Sequence, residues 1–332
     1  MRNALIYSEV PSQHSGIRRK YETLKQHLET SNFKVVLNFN NNRGFVFKLG
    51  LDYMGVIKHL FGLDVLYLRN NTRLIGCFNY WLLIFLARLT RTKIFVEIPT
   101  WPFIYNEYKG IQSILHLINF RLNIIIYRRC DVNLLVCSPN PFEYDIRFIR
   151  ITNWLSDWNY QSSNLSFTKT NDYDYVYVAN MNKWHDPLAL IDRFEDCQSS
   201  LVIVAPRLSQ ACIKKSMSKP NISIRLGVSE DELRLILLNS KIGIDTIGRD
   251  HGNYSLKSHD YLNFGLGVVL FHHDNKIEQL SHVVRFNSLE KFNPDVVLNN
   301  FVRKKSSKQY LINESQNILN IKSSLVELNG YL

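Results

Sequence analysis

Short apolar runs alternate with amphipathic stretches along the first half of this 332-residue chain. The runs predict buried β-strands at Ala4–Glu9, Phe33–Leu37, Val65–Leu68, Lys93–Ile98, Val132–Cys137 and Arg150–Thr152. Apolar residues at helical spacing between them predict helices at Gly16–Thr30, Leu51–Phe61, Cys77–Leu89 and Ile111–Arg128. Strands that alternate with helices indicate a parallel sheet of the doubly wound type.

A second cycle of the same pattern follows a polar stretch without apolar periodicity. Its predicted strands are Tyr175–Val178, Leu201–Ala205, Ile222–Leu226, Ile242–Asp245 and Val268–Phe271. Its predicted helices are Pro187–Arg193, Glu230–Leu238 and Lys257–Phe264. We therefore expect an α/β protein with two doubly wound domains, residues 1–155 and 173–308, which face a central cleft and are joined by a linker at 156–172. The apolar spacing of residues 309–332 predicts a last helix that crosses back onto the first domain.

The charge is distributed unevenly between the two predicted domains. Residues 1–155 hold 20 Lys and Arg against 10 Asp and Glu, a net charge of +10, whereas the remaining residues contribute +1. No nucleic-acid-binding module accompanies this charge, so we expect no nucleic-acid partner. Basic residues flank apolar helices such as Phe78–Leu89 and Ile114–Tyr127, which favours an anionic membrane surface. The alternative is that these helices pack in the core and that the charges form a solvated face.

Several classes of protein are disfavoured by motifs that the sequence lacks. The longest apolar stretch, Tyr80–Ala87, is too short to cross a bilayer, and the first residues do not resemble a signal peptide. The five cysteines form no C-x-x-C pair, which indicates reduced thiols in the cytoplasm and no zinc site. No G-x-G-x-x-G follows a leading strand, and neither a P-loop nor a G-x-S-x-G elbow occurs.

The segment from Ser255 to Val269 carries the strongest chemical signal. It reads as a polar loop, a short amphipathic helix, a glycine turn and a buried strand. The start of such a helix presents free N–H groups and a positive dipole end, which suit a phosphate. Asp260, early in the helix, is placed to face a ribose. An ordinary loop–helix–strand step of an α/β domain is the alternative interpretation.

An ordered set of segments resembles the two-domain GT-B glycosyltransferases of family 4, in the branch that builds bacterial exopolysaccharide, capsule and O-antigen. Ser255–Leu262 is similar to the S-L-K-x-x-E-Y-L signature of that branch, and Glu97–Phe103 with Glu107 is similar to its E-I-P-T-Y-P-Y-x-x-E element. Further similar segments are Ser15–Lys20, Tyr67–Arg69, Ile151–Asn153 and Val176–Asp186. Together they span about residues 4–270, in the order that the branch has them.

The resemblance implies transfer of a sugar, with retention of configuration, from a UDP- or GDP-linked donor to a lipid-linked oligosaccharide at the inner face of the cell membrane. Enzymes of this kind need no metal, because cations and helix N-termini neutralise the departing diphosphate. The residues that would contact the donor are Gly16, Lys183, Arg249, Ser255, Leu256, Lys257 and Asp260. The residues that would contact the acceptor or act as a base are Glu97, Thr100 and Glu107.

Two departures from the family pattern keep other interpretations open. Gly252 stands where the first acid of the E-x7-E pair would fall, and Asn180 stands where many relatives carry an arginine. Both losses favour a non-catalytic partner subunit that keeps the fold. A sugar-nucleotide epimerase of the same fold is a further alternative.

Overall fold

The structure is a computed structural model, and it forms two compact units. It describes residues 1–8, 15–39, 60–69, 74–98, 111–135, 146, 148–150, 173–179, 187–245, 256–272, 277–303 and 307–319. The predicted linker at 156–172 and nearly all of the predicted helix Leu51–Phe61 lie outside these residues. The predicted domain boundaries therefore stay predictions.

The described strands of the first domain form a parallel six-stranded sheet. They are β1 (Arg2–Ser8), β2 (Phe33–Phe39), β3 (Val65–Arg69), β4 (Lys93–Ile98), β5 (Val132–Leu135) and β6 (Phe148–Arg150). The helices are α1 (Ser15–Thr30), α2 (Leu74–Leu89) and α3 (Ile111–Tyr127). The strand order is β2-β1-β3-β4-β5-β6, so the direction in which successive strands are added to the sheet reverses between β1 and β3.

Helices cover both faces of this first sheet. Leu66 and Val96 point toward a core that includes residues of α2 and α3. On the opposite side of the pleat, Tyr67 meets Tyr21 of α1, with 6.0 Å between the ring centroids. Burial on both faces explains why the strands read as continuous apolar runs.

The second domain repeats the plan with another parallel six-stranded sheet. Its described strands are β7 (Tyr173–Val178), β8 (Leu201–Ala205), β9 (Ile222–Leu226), β10 (Ser240–Asp245), β11 (Gly267–Leu270) and β12 (Val283–Arg285). The helices are α4 (Leu188–Arg193), α5 (Gln210–Met217), α6 (Glu230–Leu238), α7 (Leu256–Asn263), α8 (Pro294–Arg303) and α9 (Lys308–Leu319). The order is β12-β11-β10-β7-β8-β9, which is the Rossmann order with its reversal between β7 and β10.

Two parallel, doubly wound sheets confirm the predicted α/β class. The elements that sequence analysis did not identify are α5, α8 and β12. The start of α5 carries a local signal, because the Ser209 side chain accepts a hydrogen bond from the Cys212 amide as an N-cap. β12 has three partly buried residues, too few for an alternating pattern to stand out.

The predicted last helix packs differently from the prediction where it is described. The Nζ of Lys308 donates to the carbonyls of Leu238 and Ser240, at 2.6 and 3.1 Å, and Leu319 belongs to the core of the second domain. The described part of the helix, α9, therefore lies on the second domain and not on the first. The amphipathic spacing was sufficient to predict a helix, but such spacing does not specify which apolar surface the helix meets. Residues 320–332 lie outside the described residues, so their return to the first domain stays a prediction.

Tyr261 of α7 joins the two strands at the reversal point of the second sheet. Its hydroxyl accepts a hydrogen bond from the Val178 amide at 3.0 Å and donates to the Ile244 carbonyl at 3.2 Å. The ring lies directly on Gly243, where an added Cβ would come within 2.2 Å of it. A glycine in the middle of β10 is thus required for α7 to approach the sheet.

The helices α2 and α3 pack against each other and leave apolar side chains in solvent. Phe85 of α2 is 60% exposed, and the exposed apolar residues of the two helices are Trp81, Phe85, Leu89, Ile114, Leu117, Ile118 and Ile125. Exposed arginines accompany them, namely Arg88, Arg91, Arg121, Arg128 and Arg129. We call this the α2–α3 surface. Within the described parts of the chain, no helix is long and apolar enough to span a membrane.

We expect Gly243→Ala to lower the free energy of unfolding of the second domain by about 3 kcal/mol, because the new methyl group overlaps the Tyr261 ring. Gly227→Ala is the matched control. Gly227 has a φ of 60° with open space around its Cβ direction, so only backbone strain of about 1 kcal/mol should result. Denaturant titration measures both changes. Equal losses for the two variants would contradict the close packing of Tyr261.

Candidate functional site

Doubly wound sheets bind ligands at the carboxyl ends of their strands, where the strand order reverses. The first domain has its reversal between β1 and β3, and the second has its reversal between β7 and β10. Each domain places buried charged groups there.

In the first domain, the carboxylate of Glu97 near the end of β4 is the centre of a buried cluster. Its Oε1 accepts from Lys20 Nζ at 3.1 Å and from Arg69 Nη1 at 3.0 Å. Its Oε2 accepts from the Tyr67 hydroxyl at 2.6 Å, and Arg69 also donates to Tyr21 at 3.3 Å. Glu97 and Lys20 are 0% and 2% exposed.

The electrostatics of this cluster keep Glu97 ionised. Burial by itself would raise the pKa of Glu97, but Lys20, Arg69 and the Tyr67 hydrogen bond together hold that pKa below its usual value. Burial and the neighbouring Glu97 raise the pKa of Tyr67 well above its usual value, so its hydroxyl remains a donor. An ionised, fully hydrogen-bonded carboxylate orients Lys20 and Arg69, and a direct role as a base would require these bonds to break.

The other residues predicted for the first domain are placed as follows. Gly16 is the second residue of α1, in the first turn, where backbone N–H groups have no helical partner. Thr100 and Glu107 lie outside the described residues. The predicted roles of Glu97, Thr100 and Glu107 in acceptor contacts or as a base stay predictions.

In the second domain, α7 begins at Leu256, beside the end of β10. The hydroxyl of Ser258 donates a short hydrogen bond to Asp245 Oδ2, which ties the first turn of the helix to the strand end. The amides of Leu256 and Lys257 belong to this first turn, so the helix geometry gives them no intrahelical acceptor. The predicted helix N-terminus is thus present at the predicted edge.

The Lys257 side chain contacts an aromatic ring of β7. Its Nζ lies 5.3 Å from the centroid of the Tyr177 ring, a cation–π distance. Burial lowers the pKa of Lys257 to about 8, although the charge of Asp245 opposes that shift. The Lys257 side chain therefore loses its positive charge just above neutral pH.

Asp260 lies three residues beyond Lys257 on α7 and is partly buried. Residues three apart are neighbours on a helix surface, so its carboxylate stands on the same side as the lysine. Lys183, Arg249 and Ser255 lie outside the described residues. The structure thus brings Leu256, Lys257 and Asp260 together on one helix, and the donor roles predicted for all these residues stay predictions.

Comparison by sequence finds no matching family model and no matching curated protein. Solved structures, in contrast, align over the whole chain. An α-glucosyltransferase (AGT) in complex with UDP has a TM-score of 0.61 at 12% identity and is covered to 99%, with 100% of this chain. HepE from Anabaena in complex with UDP has a TM-score of 0.63 at 11% identity, with 100% of both chains covered. Sucrose-phosphate synthase from Thermosynechococcus elongatus has a TM-score of 0.61 at 9% identity, covering 100% of this chain and 98% of its own.

The chain has the GT-B fold. This confirms the fold expected from the ordered set of motifs, although each of those motifs is short. In this GT-B chain the agreement rests on the arrangement of strands and helices, since about one residue in ten is identical.

Sequence analysis did not assign a role to several residues that the structure places at these edges. Lys20 and Arg69 bind Glu97, and both lie in segments that the resemblance includes. Asp245 ends an apolar strand, which is the position where a polar side chain in a GT-B domain reaches the ligand edge. Tyr177 and Tyr261 read as ordinary core aromatics, so nothing in the sequence separates their polar contacts from packing.

We expect Glu97→Gln to destabilise the first domain by about 3–5 kcal/mol, because Lys20 and Arg69 would lose their buried counter-charge. Tyr67→Phe, which removes one hydrogen bond and keeps the charges, should cost about 1–3 kcal/mol. Denaturant titration at neutral pH compares them.

The pH dependence of the Glu97→Gln effect provides a second test. The charge of Glu97 stabilises fully above the carboxyl pKa of the unfolded chain, about 4.3. This stabilisation is lost as the pH falls through the lower pKa of the folded protein. The difference between wild type and Glu97→Gln should therefore shrink in acid. A difference that is independent of pH would show that ionisation of Glu97 does not contribute.

Proposed function

We propose that this protein is a glycosyltransferase that moves a sugar from a UDP- or GDP-linked donor to an acceptor hydroxyl. The observation that carries the proposal is the reversal edge of the second domain. There, the start of α7 and a partly buried lysine, Lys257, meet beside the end of β10. The AGT and HepE structures, which share the fold, are complexes with UDP.

The chemistry of the proposed transfer requires stabilisation of a diphosphate leaving group. The first-turn amides of α7, at Leu256 and Lys257, and the amide of Ser255 would donate to the phosphate oxygens, with the helix dipole reinforcing them. Lys257 would supply positive charge, together with Lys183 and Arg249. Amides of the Gly16 turn would add further donors. With these groups, the transfer needs no metal ion.

Different side chains would bind the ribose of the donor and the acceptor. Asp260 would accept hydrogen bonds from the ribose hydroxyls. Thr100 and Glu107 would contact the acceptor hydroxyl, and Glu97 would hold Lys20 and Arg69 in place or act as a base. We propose that transfer is of the hexosyl type, retains the anomeric configuration and proceeds by front-face attack assisted by the leaving diphosphate.

The acceptor that we propose is a lipid-linked oligosaccharide in bacterial surface polysaccharide synthesis, such as exopolysaccharide or O-antigen. The α2–α3 surface supports this choice, because its exposed apolar side chains are accompanied by arginines. Such a surface suits the anionic inner face of the cell membrane, with apolar groups among the acyl chains and arginines at the phosphates. The protein would then act at the membrane from the cytoplasm.

A non-catalytic partner subunit is the second candidate, and two residues favour it. Gly252 replaces an acid of the family pattern, and Asn180 replaces a cation. A partner subunit would keep the α2–α3 surface but would not turn over a nucleotide sugar. An epimerase of the same fold would turn over a nucleotide sugar without any acceptor.

Isothermal titration with UDP, GDP, CMP and dTDP tests the donor site. We expect selective binding of UDP or GDP, weakened about tenfold or more by Lys257→Ala through loss of a charged contact. Asp260→Ala should also weaken binding. Lys241→Ala is the control, since Lys241 pairs with Asp174 at the opposite end of β10. Absence of binding at millimolar nucleotide would favour the partner subunit over the enzyme.

The affinity for the preferred nucleotide should fall as the pH rises through about 8, because Lys257 loses its proton and the diphosphate loses a cation. The fall should approach tenfold per pH unit at most, as expected for one proton. Lys257→Arg stays charged throughout and should flatten the profile. Titrations from about pH 7 to about pH 9 compare the two proteins. Parallel profiles would mean that Lys257 does not contact the phosphates.

Flotation with vesicles that contain phosphatidylglycerol tests the membrane surface. We expect the wild type to float with the vesicles and the double variant Phe85→Glu, Ile118→Glu to remain behind, because two acids would oppose both apolar and electrostatic binding. Met217→Glu is the matched control, as Met217 is 81% exposed on the second domain. If the control and the double variant floated equally, the α2–α3 surface would not be the membrane contact.

A further inference from the structure

Two buried polar side chains of the second domain have hydrogen-bonding atoms without a partner among the residues that the structure describes. Asp245 is 0% exposed, and while its Oδ2 accepts from Ser258, its Oδ1 accepts from no residue that the structure describes. His272 is 6% exposed, and its ring nitrogens have no partner within the same described ranges. Buried polar groups in folded proteins are nearly always paired, so both are unusual.

The two side chains lie at neighbouring strand ends. Asp245 is opposite Leu270 in the β10–β11 register, and the Phe271 amide donates to the Asp245 carbonyl at 3.3 Å. His272 follows directly. Asp245 and Leu270 lie on the side of the sheet that carries α7, and His272 comes two residues after Leu270, the last residue of β11.

This place is the ligand edge of the sheet, beside the first turn of α7. An unpaired buried acceptor destabilises the fold, and a ligand offsets this destabilisation when it supplies the missing hydrogen bond. The charge of Asp245 disfavours direct contact between its Oδ1 and an anionic group. A metal ion would need more ligands, and within the described residues no group of three His, Cys, Asp or Glu side chains forms. A neutral hydroxyl, which both donates and accepts, suits a carboxylate and an imidazole.

We propose that Asp245 and His272 form a hydroxyl-recognising subsite that selects the sugar of the donor. The proposal rests on the proposed transferase function and adds the groups that determine sugar specificity. Asp245 Oδ1 accepts from one hydroxyl of the sugar ring, and a nitrogen of His272 bonds the same or an adjacent hydroxyl. Ser258 fixes the carboxylate by occupying its other oxygen.

The test compares binding of UDP with UDP-glucose and UDP-galactose, and of GDP with GDP-mannose. The measured quantity is the ratio of dissociation constants between a nucleotide and its sugar form. This ratio cancels effects on the diphosphate, including any change in the charge of Lys257 when Asp245 is altered. The two UDP-sugars differ only in the direction of one hydroxyl, so they also report on which hydroxyl is read.

The variants are Asp245→Asn and His272→Gln, with His282→Gln as the matched control. His282 is also buried, but it is paired with Glu314 and Ser315 at 3.1 and 3.2 Å. We expect each subsite variant to change the ratio for the preferred sugar at least about fivefold while stability is retained, since no existing bond of Asp245 Oδ1 or His272 is lost. His282→Gln should show the opposite result, with lower stability and an unchanged ratio.

The outcomes separate the two proposals. If the nucleotides bind and the ratio stays within about twofold in both variants, the subsite is overturned and the transferase function stands. If Asp245→Asn and His272→Gln lose stability as His282→Gln does, the two residues are structural, and the subsite is also overturned. If no nucleotide or nucleotide sugar binds the wild type, both proposals fail together.

Discussion

Two hydrogen bonds of Tyr261 fix the position of α7 at the ligand edge of the second domain. Tyr261 connects the Val178 amide of β7 to the Ile244 carbonyl of β10, the two strands between which the order of the sheet reverses. Strands at a reversal point separate the loops and helices that follow them, which opens a crevice. The ring of the tyrosine packs on Gly243 of β10, below the ends of these strands. The first turn of α7, with Lys257 and Ser258, is thereby placed at the rim.

In the first domain, charged side chains stabilise the edge at the reversal point. Lys20, Arg69 and Tyr67 all donate to one carboxylate, so three elements are held together by Glu97. Removing two cations and a carboxylate from water is expensive, and such a cluster is retained only when its geometry satisfies nearly every group. Both domains are therefore doubly wound, but they stabilise the edge at their reversal points by different groups, the Glu97 carboxylate in the first and the Tyr261 hydroxyl in the second.

The fold was largely predictable from the sequence because both sheets are covered on each face. Strands such as β4 and β8 read as continuous apolar runs between amphipathic helices, and their bounds agree with the sequence within a residue or two. α9 shows the limit: its apolar spacing predicted a helix, whereas its position depends on Lys308 and Leu319 meeting the second domain. Spacing within one segment carries no information about a partner that is distant in sequence.

The candidate site was predictable only in part, for a related reason. The start of α7 follows from local signals, and the structure has a helix beginning at Leu256. The environment of Glu97 does not, because Lys20 and Arg69 come from elements far apart in the chain. Similarly, the lowered pKa of Lys257 arises from burial, and the unpaired atoms of Asp245 and His272 are visible only once their neighbours are known.

The contact between Gly243 and Tyr261 has a consequence for how this chain can change over evolution. The ring occupies the space that any side chain at position 243 would need, so the two positions are constrained jointly. A larger residue at 243 is accommodated only after the aromatic ring at 261 has been lost, and that loss leaves the Val178 amide without its acceptor. The first of two such substitutions is harmful in either order. The pair should therefore persist together or be replaced together, as epistasis between residues in contact requires.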